Sequence, residues 1–266
     1  MPRTIVNGLS MHYESHGDGP PLLLLHGLGS SLRDWEYQIA PFASRFRVLT
    51  VDLRGHGKSD KPKGPYSMAL FAKDVGTFLK KHVSEPAHVV GLSMGGAVAF
   101  HLALDHGHLV KSIVVTNMSG MVPVDTFTQK RFYYSRLILS ALMGPGAMGK
   151  FIAGHVFPKP EMAPLRETLT ARWAENPRRP YLSSLRALKN WSVMDRLHRI
   201  TCPALLIHSE HDYSPLDHKK EVAARMQNAT LMTLPGTHHI VNVEEPASFN
   251  ALVMNFLKSL EERPAE

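Results

Sequence analysis

The spacing of apolar and polar positions assigns most elements of this chain. Ile5 to Tyr13 reads as two short strands around Asn7-Gly8, a pair whose tolerance of positive φ favours a tight hairpin, so the chain is expected to open on an antiparallel edge. Pro20-Pro21-Leu22-Leu23-Leu24-Leu25 is apolar without alternation, as in a strand covered on both faces. Arg47 to Val51, Ala87 to Val90, Val110 to Asn117, Ala204 to His208 and Ala229 to Leu234 read as further strands. Helices are expected over Arg33 to Phe42, from Ser67 with Leu70, Phe71, Val75, Phe78 and Leu79 on one face, over Ala97 to Leu104, over Leu216 to Met226 and over Pro246 to Leu260. Strands that alternate with helices imply an α/β fold built on a mostly parallel sheet.

That rhythm stops at Gly120. Phe127 to Leu142 is helical and rich in aromatics, Gly144-Pro145-Gly146 interrupts it, and helical spacing resumes over Arg166 to Ala174 and Leu182 to Trp191. A stretch of about 80 residues without a strand is far too long for a loop. Residues 120–197 are therefore expected to form a helical cap inserted in a core of residues 1–119 and 198–266.

Composition narrows the class. With 44% apolar and 20% charged residues in 266, the chain has the make-up of a globular protein with one large core. No apolar run reaches the roughly 20 residues that span a bilayer, and Met1-Pro2-Arg3-Thr4 leads into a strand-like segment without the apolar region of a signal peptide. The single cysteine, Cys202, cannot form an internal disulfide. A cytoplasmic protein without membrane attachment is expected. The net charge of +7 is concentrated in residues 120–200, where 13 Lys and Arg face 5 Asp and Glu. The basic pairs are short and accompany no nucleic-acid motif, so a solvated basic face is expected rather than nucleic-acid binding.

Candidate chemistry centres on Gly91-Leu92-Ser93-Met94-Gly95-Gly96, between an expected strand and helix. A serine on so sharp a turn takes a strained backbone, and only glycine fits beside it, which is the logic of a nucleophile elbow. The helix start also aims free amides at the serine. In a parallel sheet, reactive groups collect on loops at the carboxyl ends of strands. His26-Gly27-Leu28-Gly29 ends one strand, and there the Leu28 amide is placed to join that of Met94 in an oxyanion hole, with His26 in a structural role. Ser209-Glu210-His211-Asp212 and Gly236-Thr237-His238-His239 end two others and offer an acid and a base in the order Ser, Asp, His. Asp52 and Asp60 sit in a glycine-rich loop and are expected to bond local amides. No metal-ligand spacing and no phosphate-binding glycine loop is present, so neither metal nor cofactor is expected.

With these motifs in this order, the chain resembles the capped α/β-hydrolase superfamily from about Gly17 to its C-terminus. The resemblance implies an eight-stranded, mostly parallel sheet. It also selects His239 over His238 as the base, because relatives carry Glu five and Pro seven positions after it, as Glu244 and Pro246 do here; the glycine they place before it is His238 in this chain. It selects Asp212 over Glu210, and excludes an acid on the strand ending near Thr116, where this chain has Asn117. Ser93, Asp212 and His239 would form a catalytic triad that needs no cofactor. Because the base must be neutral to take a proton, activity is expected to rise with pH through the imidazole titration.

Phe127, Phe132, Leu142, Met143, Phe157 and Trp191 from the cap, with His26, Tyr213 and Ile240 near the triad, are the expected pocket. A mostly apolar pocket suits a carboxylesterase of small to medium esters; enol-lactone hydrolases and carbon-carbon hydrolases are relatives of the same mechanism, and a non-catalytic ligand receptor is the alternative of another class. The partner expected is a small ester molecule, the assembly a monomer or homodimer.

Overall fold

The structure, a computed structural model, describes residues 2–261. Arg3–Val6 (β1) and Leu9–His16 (β2) form the expected hairpin, with Asn7 at φ 49° and Gly8 at φ 76° in its turn. Pro21–Leu25 (β3), Arg47–Val51 (β4), Ala87–Leu92 (β5), Val110–Thr116 (β6), Ala204–Ser209 (β7) and Ala229–Leu234 (β8) complete one sheet, in the order β1-β2-β4-β3-β5-β6-β7-β8. β2 joins β4 antiparallel, opposing Tyr13 to Val51, and every later pairing is parallel. β3 and β5 are buried along their whole length, which is why their sequences show no alternation.

A 3₁₀ turn at Leu32–Trp35 leads into Glu36–Ala43 (α1), and Met68–His82 (α2) starts at Ser67, whose side chain accepts the Leu70 amide. Met94–Asp105 (α3) is enclosed almost all round, and α2 packs on it. Leu216–Arg225 (α8) lies against β7 and β8, and Pro246–Glu261 (α10) packs on α1 after a single turn at Val241–Glu244 (α9). No helix among the described residues is long and apolar enough to cross a membrane.

Between β6 and β7 lie Phe127–Met143 (α4), Pro145–Val156 (α5), Ala163–Ala174 (α6) and Arg178–Leu188 (α7), together with a lone bridge from Met121 to Ser192. Two details differ from expectation. Gly144-Pro145-Gly146 ends α4 but also begins α5: Gly144 takes φ 89°, and Pro145 sits at the first helical position, where its missing N–H costs nothing. The last helix ends at Leu188, leaving Trp191 outside it.

His88, inside β5, is fully buried; its Nδ1 meets Ser112 Oγ at 2.7 Å, while Nε2 has no partner. Burial, reinforced by Lys111, lowers its pKa from 6.5 to about 4. Between these values the unfolded chain binds the extra proton, so stability is lost as pH falls through the window. The loss from His88 alone is roughly 3 kcal/mol, taking about 1.4 kcal/mol per unit. Urea midpoints at pH 7 and 4.5 should drop steeply in the wild type and less in His88→Gln. Equal drops would show that His88 is not the group responsible.

Candidate active site

β5 ends at Leu92 and α3 begins at Met94, which leaves Ser93 alone in the connection at φ 53°, ψ −117°. Few non-glycine residues hold such a backbone, and the surroundings enforce it here. The Ser93 amide donates to the Thr116 carbonyl at 2.9 Å. A Cβ at Gly91 would run into the Gly95 carbonyl, and one at Gly95 into the Leu25 carbonyl, so β3, β5 and α3 meet at van der Waals limits. Met94, at the first position of α3, has no acceptor within its own helix. Leu28, on the loop after β3, lines the cavity that holds Ser93.

The turn after β7 carries Asp212, whose Oδ1 meets His239 Nδ1 at 2.5 Å. Its other oxygen is held by Lys219 Nζ at 2.5 Å and by the Ser214 hydroxyl. Burial alone would raise the pKa of Asp212, but the His239 ring and the Lys219 ammonium outweigh it and hold the carboxyl well below the usual carboxylate range. Lys219 is itself buried and reaches His208 Nδ1 at 2.8 Å. Burial shifts Lys219 downward despite Asp212, and burial with the ammonium beside it shifts His208 downward too. Asp212 is thus held as a carboxylate beneath His239.

The two adjacent histidines have separate partners. His238 is gripped by Glu244, through its amide at 2.6 Å and Nδ1 at 2.8 Å, whereas His239 takes Asp212. Asn117, at φ 53°, fixes both loops: its side-chain amide donates to Ser209 Oγ and to the His239 carbonyl, and its oxygen accepts the Ser209 amide.

With Nδ1–H committed to Asp212, Nε2 of His239 is an acceptor, and the Tyr213 hydroxyl donates to it at 2.6 Å. The two rings stack with centroids 4.1 Å apart. Tyr213 is half exposed, yet its hydroxyl end reaches inward, where it also interacts with the side chains of Ser93 and Arg136. Burial pushes its ionisation above the ordinary tyrosine range. The acceptor on His239 that Ser93 would need is thus taken by the Tyr213 hydroxyl.

Ser93 and His239 line one cavity of about 220 Å³. α4 gives it Gln129, Phe132, Tyr133 and Arg136, α5 gives Ile152, α6 gives Trp173, and α7 gives Leu185 and Leu188; the core side includes Leu28, Ser30, Asp34, Leu92, Asn117, Met118, Ser119, Met121 to Val124, Tyr213 to Pro215, His218 and Ile240. Of the expected pocket residues, Phe132, Tyr213 and Ile240 are present. Phe127, Leu142 and Met143 are not, since they point outward and are 82%, 73% and 68% exposed. Phe157 is buried beside a separate, smaller cavity with Leu165 and Leu169, and Trp191 packs on α3 with its ring N–H on His101. His26 lies beneath the loop, its Nε2 accepting the Leu53 amide and its Nδ1 at 2.8 Å from the Gly27 carbonyl. Burial depresses its pKa, consistent with a neutral structural ring. Asp52 bonds the Leu32 and Lys58 amides and Asp60 the Ser10 amide, as expected of loop-bracing carboxylates. Burial pushes the Cys202 thiol up to about 11, which makes it inert.

Two residues of this site were not anticipated from sequence. Arg136 shares the buried stripe of α4 with Tyr133 and Ser140, and a cation at helical spacing within such a stripe was the available signal. Lys219 gives no comparable local signal.

A model of the alpha/beta hydrolase family matches residues 22–252. The chain is 29% identical to 3-oxoadipate enol-lactonase 2 of Acinetobacter baylyi, an alignment covering 94% of each. It is 32% identical to a putative carbamate hydrolase RutD of Caulobacter sp., over 95% of this chain and 96% of that one. The crystal structure of an enol-lactonase from Burkholderia xenovorans superposes with a TM-score of 0.89 at 26% identity, covering 97% of this chain and all of the other. Strand order, elbow and a matching family model over most of its length agree: the chain belongs to the alpha/beta hydrolase family.

Proposed function

We propose that this protein is a serine hydrolase of carboxylic esters, open-chain or cyclic, that works through an acyl-enzyme. The observation that carries this reading is one cavity shared by a serine on a strained elbow and an imidazole whose far nitrogen is held by a buried carboxylate. In this reading residues 120–197 act as a cap on a core of 1–119 and 198–266.

Substrate entry displaces the Tyr213 hydroxyl, and Nε2 of His239 turns to Ser93. Ser93 Oγ attacks the carbonyl as its proton passes to Nε2, and Asp212 stabilises the imidazolium that forms. The carbonyl electrons move onto oxygen, which the Leu28 and Met94 amides receive. The carbonyl re-forms, the carbon–oxygen bond to the leaving group breaks, and His239 protonates that oxygen. Water then repeats the sequence to release the acid. No step calls on a metal or cofactor.

Lactone cleavage is the same chemistry with the leaving oxygen retained in the product, and the two enol-lactonases among the relatives favour that variant. A fluorophosphonate probe should add to Ser93, as read by peptide mass. An aryl butyrate, an enol-lactone and a vinylogous diketone acid should then separate ester, lactone and carbon-carbon chemistry by turnover. Absence of both adduct and turnover would overturn this reading in favour of a ligand receptor.

A further inference from the structure

We propose that Arg136 is a binding site for a carboxylate carried by the substrate, so that the preferred substrate joins an apolar body to one anionic end. The inference rests on the hydrolase reading above for the word substrate; the anion site itself does not need it.

Arg136 is nine-tenths buried and lines the same cavity as Ser93 and His239. Its polar neighbours are neutral. Nε donates to the Tyr181 hydroxyl at 3.0 Å, the Tyr213 hydroxyl interacts with the same side chain, and the guanidinium lies 5.7 Å from the Trp173 ring and 5.9 Å from that of Tyr181. Among the described residues no carboxylate pairs with it, whereas Arg54 is paired with Asp74, Arg33 with Glu175, and Arg172 with Asp34 and Glu36.

A guanidinium cannot shed its proton to escape burial, so it retains full charge inside an apolar enclosure. Such a charge is costly unless a counter-ion meets it. Of its five N–H donors, Nε–H is taken by the Tyr181 hydroxyl, and a flat fork of donors fits a carboxylate in bidentate fashion. The rest of the wall is mainly aliphatic and aromatic, with Leu28, Leu92, Ile152 and Leu188 among it. Asp34, the carboxyl group on this wall, is paired with Arg172, which leaves Arg136 as the cation that faces an entering molecule without a carboxylate beside it.

Arg136 and Ser93 line one cavity of about 220 Å³, and that size limits the distance between a group held by one and a group held by the other. A carboxylate on Arg136 and a carbonyl at Ser93 must then be linked by a short spacer, as in hemiesters of succinic or glutaric acid or a carboxylate-bearing lactone. The same carboxylate would take over the Arg136 donors now facing Tyr213 and help release that phenol from His239.

The test compares 4-nitrophenyl hemiglutarate with 4-nitrophenyl valerate, acyl groups of similar length that differ by the terminal charge. Wild-type kcat/KM should favour the charged ester by at least about tenfold. Arg136→Gln should cut the charged-to-neutral ratio by about 30-fold or more, chiefly through KM, and Arg136→Lys should restore part of it. Calorimetry with glutarate on the Ser93→Ala protein should show binding that Arg136→Gln removes. A wild type that prefers the valerate, a ratio unmoved by Arg136→Gln, or no glutarate binding would each overturn the proposal. Failure of the hydrolase reading looks different: neither ester is turned over, yet the glutarate measurement still decides the anion site.

Discussion

Replacing Ser93 with alanine is expected to lower ester turnover by about 10⁴- to 10⁶-fold while leaving the fold and the 2.5 Å Asp212–His239 contact in place. On the proposed mechanism nothing else at the elbow can attack, and the amides offered to the oxyanion have no acyl-enzyme step left to assist. His239→Gln should cost about as much, and the double variant little more, because a nucleophile without its base and a base without its nucleophile are equally idle. Single-turnover kinetics on an aryl ester, with circular dichroism to confirm folding, measures this. His238→Gln is the informative companion. His238 is bound to Glu244 rather than Asp212, so that substitution should retain most activity. Survival of His239→Gln alongside loss in His238→Gln would transfer the base to the other histidine.

Gly95→Ala is expected to destabilise the protein by more than about 4 kcal/mol, enough to deprive it of a soluble fold. Its added methyl would fall on the Leu25 carbonyl, 2.6 Å from that carbonyl carbon and 2.9 Å from the His26 oxygen. These are backbone atoms at the end of β3, so no rotamer change relieves the overlap. Relief requires α3 to move off the sheet, which would also separate Met94 from Leu28. Gly107→Ala is the control: a Cβ there meets nothing within 4 Å and its φ is ordinary, so its effect should stay within about 0.5 kcal/mol. Denaturant midpoints and soluble yield compare the two. A Gly95→Ala protein as stable as wild type would mean that the contact between β3 and α3 is looser than described.

What the sequence disclosed follows the range of the interactions involved. β3 and β5 were readable because burial on both faces leaves a continuous apolar run, and the first hairpin because Asn7-Gly8 selects its turn locally. The elbow was readable for the same reason: Ser93 and its glycines are neighbours in sequence. The pocket was not. Phe127, Leu142 and Met143 are large and apolar on a helix with inward-facing positions, yet α4 turns them to solvent, and only the packing of α4 on α5 and α7 decides which face is inward. Arg136 and Lys219 are surface residues by type; one is enclosed by Trp173 and Tyr181, the other by Asp212 and His208, contacts that no local pattern records. Gly144-Pro145 misled in another way, since the same two residues that end one helix suit the start of the next.

Asn117 has a consequence for how this site can change over time. It splices the ends of β6 and β7 to the histidine loop by giving two hydrogens and receiving one. An aspartate there would keep the receiving oxygen but turn an anion toward the His239 carbonyl, which has no hydrogen to offer. Migration of the acid from one strand to its neighbour therefore cannot proceed through a single base change in this lineage. Both loops would have to be rebuilt in step, so descendants of this chain are expected to diversify in the roof above the site long before they exchange the carboxylate beneath it.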